Sequence, residues 1–121
     1  MAIVKVSTGT KGRGNLNKYT QASGANAAQT CSTDGGQVEK LLYVLTSYSA
    51  TPTQTGVTIT VNSNTDAAYD TLLNTASANV RYNLYNPTDD IIIRKGDALD
   101  VTAPAGGAGI TSAISIYTEA L

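Results

Sequence analysis

The stretch Ile91-Ile92-Ile93-Arg94-Lys95-Gly96-Asp97-Ala98-Leu99-Asp100-Val101 reads as strand, turn, strand. Ile91 and Ile93 share one side of the first limb. Leu99 and Val101 share one side of the second, at the period of two that a pleated backbone imposes. Between the limbs, Gly96 supplies the positive φ of a tight turn, and Asp97 can accept backbone N–H bonds. The four apolar side chains are therefore expected to face one core. Ile114 and Ile116, within Ile110 to Thr118, alternate in the same way and are expected beside them.

Upstream the pattern repeats. Gly56 to Asn62 (GVTITVN) places Val57, Ile59 and Val61 inward and Thr58 and Thr60 outward. Ala78 to Tyr85 sets Val80, Tyr82 and Leu84 against Arg81 and Asn83, and Asn86-Pro87 ends it with turn chemistry. Val38 to Tyr48 reads as a strand apolar on both faces, with Leu42, Val44 and Thr46 opposite Leu41, Tyr43 and Leu45. A helix is its rival, because Glu39, Lys40 and the leucine pair are good helix formers. From Asn64 to Ala76, a cap at Asn64 or Thr65 and the spacing of Tyr69, Leu72, Leu73 and Ala76 predict a short helix or turn, with a strand as the alternative. Six or seven short strands with frequent turns and at most one short helix give an all-β fold, an antiparallel β-sandwich or jelly roll.

A chain of 121 residues is one domain's worth and long enough for a single core. Charged residues make up 14%, well below the roughly 25% of ordinary soluble domains. Thr, Ser and Asn fill the gap. Such a neutral surface suits a protein packed against others; Thr-rich strands without any partner give the same composition. No apolar run nears the roughly 20 residues that span a bilayer, and no signal-peptide pattern follows Ala2–Val6. The expected compartment is the cytoplasm or a particle assembled there.

The charges are unevenly placed. Through Thr33 there is no carboxylate, only Lys5, Lys11, Arg13 and Lys18; from Asp34 on, nine acids face four bases. Ala2 to Ser7 alternates as a strand, and Thr8 to Gln37 is glycine-rich and nearly without apolar anchors. This predicts residues 1–37 as an N-terminal strand and extended arm on a sandwich of residues 38–121. The arm's contact residues are expected to be Lys5, Lys11, Arg13, Lys18 and Tyr19. Four cations with a single Tyr are a thin footprint for nucleic acid, and an acidic protein surface is the preferred partner.

Catalysis finds few parts. The chain has no His and a single Cys, Cys31, so Ser-His and Cys-His nucleophile systems are absent. Cys31, in a polar run, reads as an unpaired bystander. Asp89, Asp90, Asp97 and Asp100 sit in or beside turns, where Asp bonds the local backbone. Asp89 and Asp90 have the oxygen chemistry for calcium but no EF-hand spacing. The Gly9-x-x-Gly12-x-Gly14 run lacks the spacer and Gly-Lys-Ser/Thr ending of a phosphate loop. No cofactor and no metal is expected.

The segment Ile91 to Val101, with the glycine-rich loop and final strand that follow, resembles the closing strands of jelly-roll modules in viral particles. These include decoration (cement) proteins and fibre heads of tailed bacteriophages; the Gly-Asp turn is also similar to that of trimeric tumour-necrosis-factor-like heads. The resemblance implies a homotrimeric, non-enzymatic virion protein on a capsid surface, with major capsid subunits as partners and no nucleic acid or membrane. The alternative is a receptor- or glycan-binding head, with Tyr48, Tyr69 or Tyr85 as exposed aromatic candidates.

Overall fold

The computed structural model describes residues 16–24, 26–53 and 56–121. The strand expected at Ala2–Ser7, and with it Lys5, Lys11 and Arg13, lies outside them. Nine strands follow in order: β1 (Leu16–Ser23), β2 (Gln29–Ser32), β3 (Glu39–Tyr48), β4 (Thr58–Asn62), β5 (Thr71–Thr75), β6 (Tyr82–Tyr85), β7 (Ile92–Ile93), β8 (Ala98–Ala103) and β9 (Ser112–Ala120). One 3₁₀ turn, Ala67–Tyr69, precedes β5. The region expected as helix or strand thus contains both, one turn of 3₁₀ and then a strand.

The strands form two antiparallel sheets. One runs β1-β9-β3-β6, with β7 added to the start of β3; the other runs β2-β8-β4-β5. Setting the two-residue β7 aside, the pairs are first with last, second with penultimate, third with sixth and fourth with fifth. A long antiparallel ribbon wrapped over itself gives this order, which is a jelly roll. The core between the sheets holds Leu41, Val44, Ile59, Ile93, Leu99, Val101, Ile114 and Ile116, all buried. The five inward residues expected at 93, 99, 101, 114 and 116 are therefore in place, and Ile91 packs on their edge.

The Gly-Asp turn joins sheets rather than closing a hairpin: β7 pairs with β3 and β8 with β2 and β4. Gly96 has φ 93°. Its N–H donates to the Gly35 carbonyl at 2.8 Å, and Asp97, buried, accepts from the Asn64 N–H at 3.1 Å. Arg94 Nε donates to the other Asp97 oxygen at 3.3 Å.

Three expectations are corrected. First, residues 16–37 are not an arm outside the sandwich. β1 pairs with β9 along its whole length, and β2 pairs with β8, so the division at residues 37 and 38 is no boundary in the fold. Cys31, on β2, is in the core. Second, Val38–Tyr48 does not keep one alternation. Its register against β9 shifts between Leu41 and Tyr43, leaving Leu42 as an extra residue. A bulge of this kind flips the parity. Glu39 and Leu41 point inward before it, Val44, Thr46 and Tyr48 after it, and Leu45 faces outward. Third, Tyr82 and Leu84 point outward, because β6 pairs with that shifted half of β3, Leu84 opposite Leu45.

Candidate interaction surface

The outer face of the five-stranded sheet carries side chains that ordinarily belong inside. One row across β1, β9 and β3 is Lys18, Tyr117 and Tyr43. The two rings stack at 4.5 Å between centroids, 26° from parallel, and Lys18 Nζ lies 5.3 Å from the Tyr117 ring centre. Ammonium over a ring face is a favourable electrostatic contact. The next row is Thr20, Ser115, Leu45 and Leu84; the one after it is Ala22, Ala113, Ser47 and Tyr82. Leu45 is 42% exposed, Leu84 59% and Tyr82 66%.

These rows form relief. Ser47, Ala113 and Ser115 are small, while Leu45, Leu84 and Tyr82 stand above them, and the result is a groove of about 530 Å³. Arg81 lies beside the Tyr82 wall. Its guanidinium donates to the carbonyls of Tyr48 at 3.1 Å and Ser49 at 2.9 Å, and lies 5.1 Å from the Tyr82 ring centre. The groove is thus largely apolar and small-floored, with the Arg81 guanidinium held beside Tyr82.

Beneath the same sheet, on its buried side, is a polar cluster. Glu39 is 1% exposed. Its carboxylate accepts from the Tyr19 hydroxyl at 2.9 and 3.1 Å, from Asn17 Nδ2 at 3.4 Å, and from the Thr118 hydroxyl. A buried carboxylate is tolerable only when its lone pairs are satisfied. Two of its three donors come from β1, so the cluster is what fastens β1 to β3 and β9. Burial and then the Glu39 carboxylate push the Tyr19 phenol well above its ordinary range.

The residues expected as arm contacts therefore separate. Lys18 is on the open face, over Tyr117. Tyr19 faces the interior and is engaged with Glu39 and, at 3.5 Å, with Asp34. The tyrosines fare in reverse. Tyr48, expected exposed, is buried with its hydroxyl donating to the Pro104 carbonyl at 2.8 Å. Tyr85 is half-buried against the core and only Tyr69 is exposed. Tyr82, whose strand pattern suggests the core or its edge, is instead exposed, and Tyr43 and Tyr117 lie half-buried on the same outer face. The signal for that exchange is in the sequence only as a bulge in β3, which alternation does not show.

Asp89 and Asp90 are exposed, and Asp90 pairs with Lys40 at 3.3 Å. Among the described residues no group of three His, Cys, Asp or Glu side chains is arranged to hold a metal ion. No helix among them is long and apolar enough to cross a membrane. Known family models, curated proteins and solved structures contain no match to this chain.

Proposed function

We propose that the chain is a non-enzymatic virion structural protein that decorates and stabilises a capsid by binding its major capsid subunits, as a homotrimer on the capsid surface. The observation that carries the reading is the apolar outer face of the five-stranded sheet. Large contiguous apolar surface on a soluble domain marks a place where another molecule packs. The capsid itself enters through two supports. One is the resemblance of Ile91–Val101 to virion jelly-roll modules. The other is the jelly-roll strand order, a fold used by viral capsid proteins and also by lectins; this is analogy at the level of fold.

On this reading the capsid contact lies at the β1 side. Lys18 stands on the open face there, and Lys5, Lys11 and Arg13 precede β1 in the chain. Their charge suits an acidic shell surface. Tyr19 is an internal anchor for β1 rather than a contact. Of the aromatic candidates for the glycan-binding alternative, Tyr48 is in the core and Tyr85 half-buried, which leaves Tyr69 alone.

The test is co-sedimentation of the full chain with empty shells of the virus that encodes it. Full-length protein is expected to pellet with the shells. Deleting residues 2–13 and substituting Lys18→Glu should each weaken pelleting, and more so at low salt, where exposed charges act furthest. A full-length chain that stays in the supernatant at every salt concentration would end the capsid reading.

A further inference from the structure

The geometry points to a second copy of this chain as the occupant of the Leu45–Leu84–Tyr82 groove, docked head to tail through Tyr69 and Leu72. The same molecule carries both halves of a complementary pair. The groove is largely apolar, with Arg81 beside its Tyr82 wall and Lys18 on the same face. On the other sheet, Tyr69 is 64% exposed and Leu72 60% exposed; in sequence Asp66 precedes them and Asp70 lies between them. An apolar projection that carries carboxylates thus meets a largely apolar recess on a sheet face that carries cations. Complementary charge at the rim sets partner and register, while the apolar centre supplies affinity.

The projection is held in shape. Asp66 Oδ1 accepts from the Ala68 N–H at 2.8 Å, and Asp70 Oδ1 accepts from the Ser63 N–H at 2.8 Å. Both bonds fix the 3₁₀ turn and the start of β5, which lowers the ordering cost of docking. Leu72 stands opposite Thr60 on β4, whose neighbours Ile59 and Leu99 point into the core. Thr60 and Leu72 therefore look outward from the four-stranded sheet. The groove looks outward from the opposite sheet, so a molecule cannot fill its own recess.

Two copies joined face to face through their grooves would bring Arg81 and Lys18 of one against those of the other, which is unfavourable. Joining groove to projection avoids this. Such a contact is heterologous, and repeated it either closes into a ring or runs on as a filament. The inference rests on reading the chain as an assembling structural protein. It is tested with no shell present, so self-association and shell binding can fail separately.

The experiment is light scattering and sedimentation velocity on the full chain over a wide concentration range. The mass should rise with concentration and fall back as salt is added. Leu84→Asp in the groove and Leu72→Asp on the projection should each raise the dissociation constant about tenfold or more. Both sites are exposed, and unchanged thermal melts will show that the variants fold; Tyr69→Ala repeats the projection test without adding charge. An equal mixture of Leu84→Asp and Leu72→Asp chains has one intact junction per pair and should form dimers and stop there. A wild-type chain that is monomeric throughout would overturn the inference. So would association that survives Leu72→Asp and Tyr69→Ala, because the contact would then be groove to groove, and so would a mixture that remains monomeric.

Discussion

The two sheets of this sandwich obey the same alternation and put opposite chemistry on their outer faces. Across the four-stranded sheet, Thr30, Thr102, Thr58 and Thr75 stand side by side on successive strands, and the next row is Ser32, Asp100, Thr60 and Leu72. These groups bond to each other. Thr30 and Thr102 hydroxyls meet at 2.9 Å, and Asp100 accepts from Ser32 at 2.7 Å and from Asn62 at 3.0 Å. Inward, the sheet is Cys31, Ile59, Leu99 and Val101. It is an ordinary half-wet sheet. The five-stranded sheet is partly inverted, with Glu39, Thr46 and Thr118 buried and Leu45, Leu84 and Tyr82 in the open. A sheet can be inverted in this way only if something satisfies the polar groups inside and something covers the apolar groups outside. The Glu39 cluster meets the first condition for Glu39 and Thr118. The second is what the proposed partner molecule would meet, and that is why function is sought on this face.

The most damaging way to break the contrast is from within. Glu39→Ala leaves the Tyr19 hydroxyl and the Thr118 hydroxyl without their acceptor and opens a hole beside β1. The expected loss is about 3 kcal/mol, read by chemical denaturation. Hydrogen exchange should quicken first in Leu16–Ser23, because Asn17 and Tyr19 are the donors that tie that strand down. A loss below about 1 kcal/mol, with β1 exchange unchanged, would mean that backbone pairing with β9 alone holds the strand.

Gly96→Ala attacks the turn that passes the chain from one sheet to the other. At φ 93° a side chain is strained, and its Cβ would stand 2.7 Å from Asn64 Nδ2. The cost expected is ~1.5 kcal/mol. Asn64→Ala beside it should recover part of that loss by clearing the space, although the strain at φ remains. An unaltered thermal midpoint for Gly96→Ala would remove the turn from the account of how the two faces are kept apart.

The interior between the sheets also carries a pH signature. Tyr19 is pushed up by burial and then by Glu39, and burial pushes up Cys31 and Tyr48. Each raised group keeps its proton longer in the fold than in the unfolded chain. As pH rises past the ordinary values, 9.0 for the thiol and 10.0 for the phenols, the unfolded state therefore ionises first and stability falls. Below that window these groups contribute no pH dependence. Tyr19→Phe should cost ~1 kcal/mol at neutral pH through the lost hydrogen bond and make the alkaline decline shallower. An identical alkaline slope in that variant would mean the decline comes from the other two groups.

Much of the fold was legible because its inner residues are apolar at period two. Val57, Ile59, Leu99, Val101, Ile114 and Ile116 announce strands β4, β8 and β9 directly. β1 escaped because its inward positions are Asn17 and Tyr19, chosen to meet a carboxylate 22 and 20 residues away rather than a hydrocarbon core. No local pattern encodes that. β2 was hidden similarly, with Gln29 and Cys31 inward in a run of small polar residues. The interaction face was misassigned for a different reason. Leu42 bulges out of register, and everything downstream on β3 and its neighbour β6 changes sides. Alternation identifies the two faces of a strand; a bulge decides which is which, and bulges depend on the partner strand.

The smallest effect is the one that most sharpens the contrast. Thr102→Val replaces a hydroxyl on the wet face with a methyl of the same shape and frees Thr30 to bond water instead. Because both groups are solvent-exposed partners, no buried donor is stranded. The stability change should stay within about 0.5 kcal/mol, and self-association should not change, since Thr102 is on neither the groove nor the Tyr69–Leu72 projection. Its counterpart is Leu45→Thr, which gives the inverted face the chemistry of the ordinary one. That substitution should be just as quiet in a thermal melt, because Leu45 is already in the open, yet it should weaken self-association. Two substitutions equal in stability and unequal in assembly would separate the hydroxyl rows that meet water from the groove that meets another molecule. If Thr102→Val altered assembly as much as Leu45→Thr, the hydroxyl rows would have to be counted as an interface too, and the asymmetry between the sheets would lose its functional meaning.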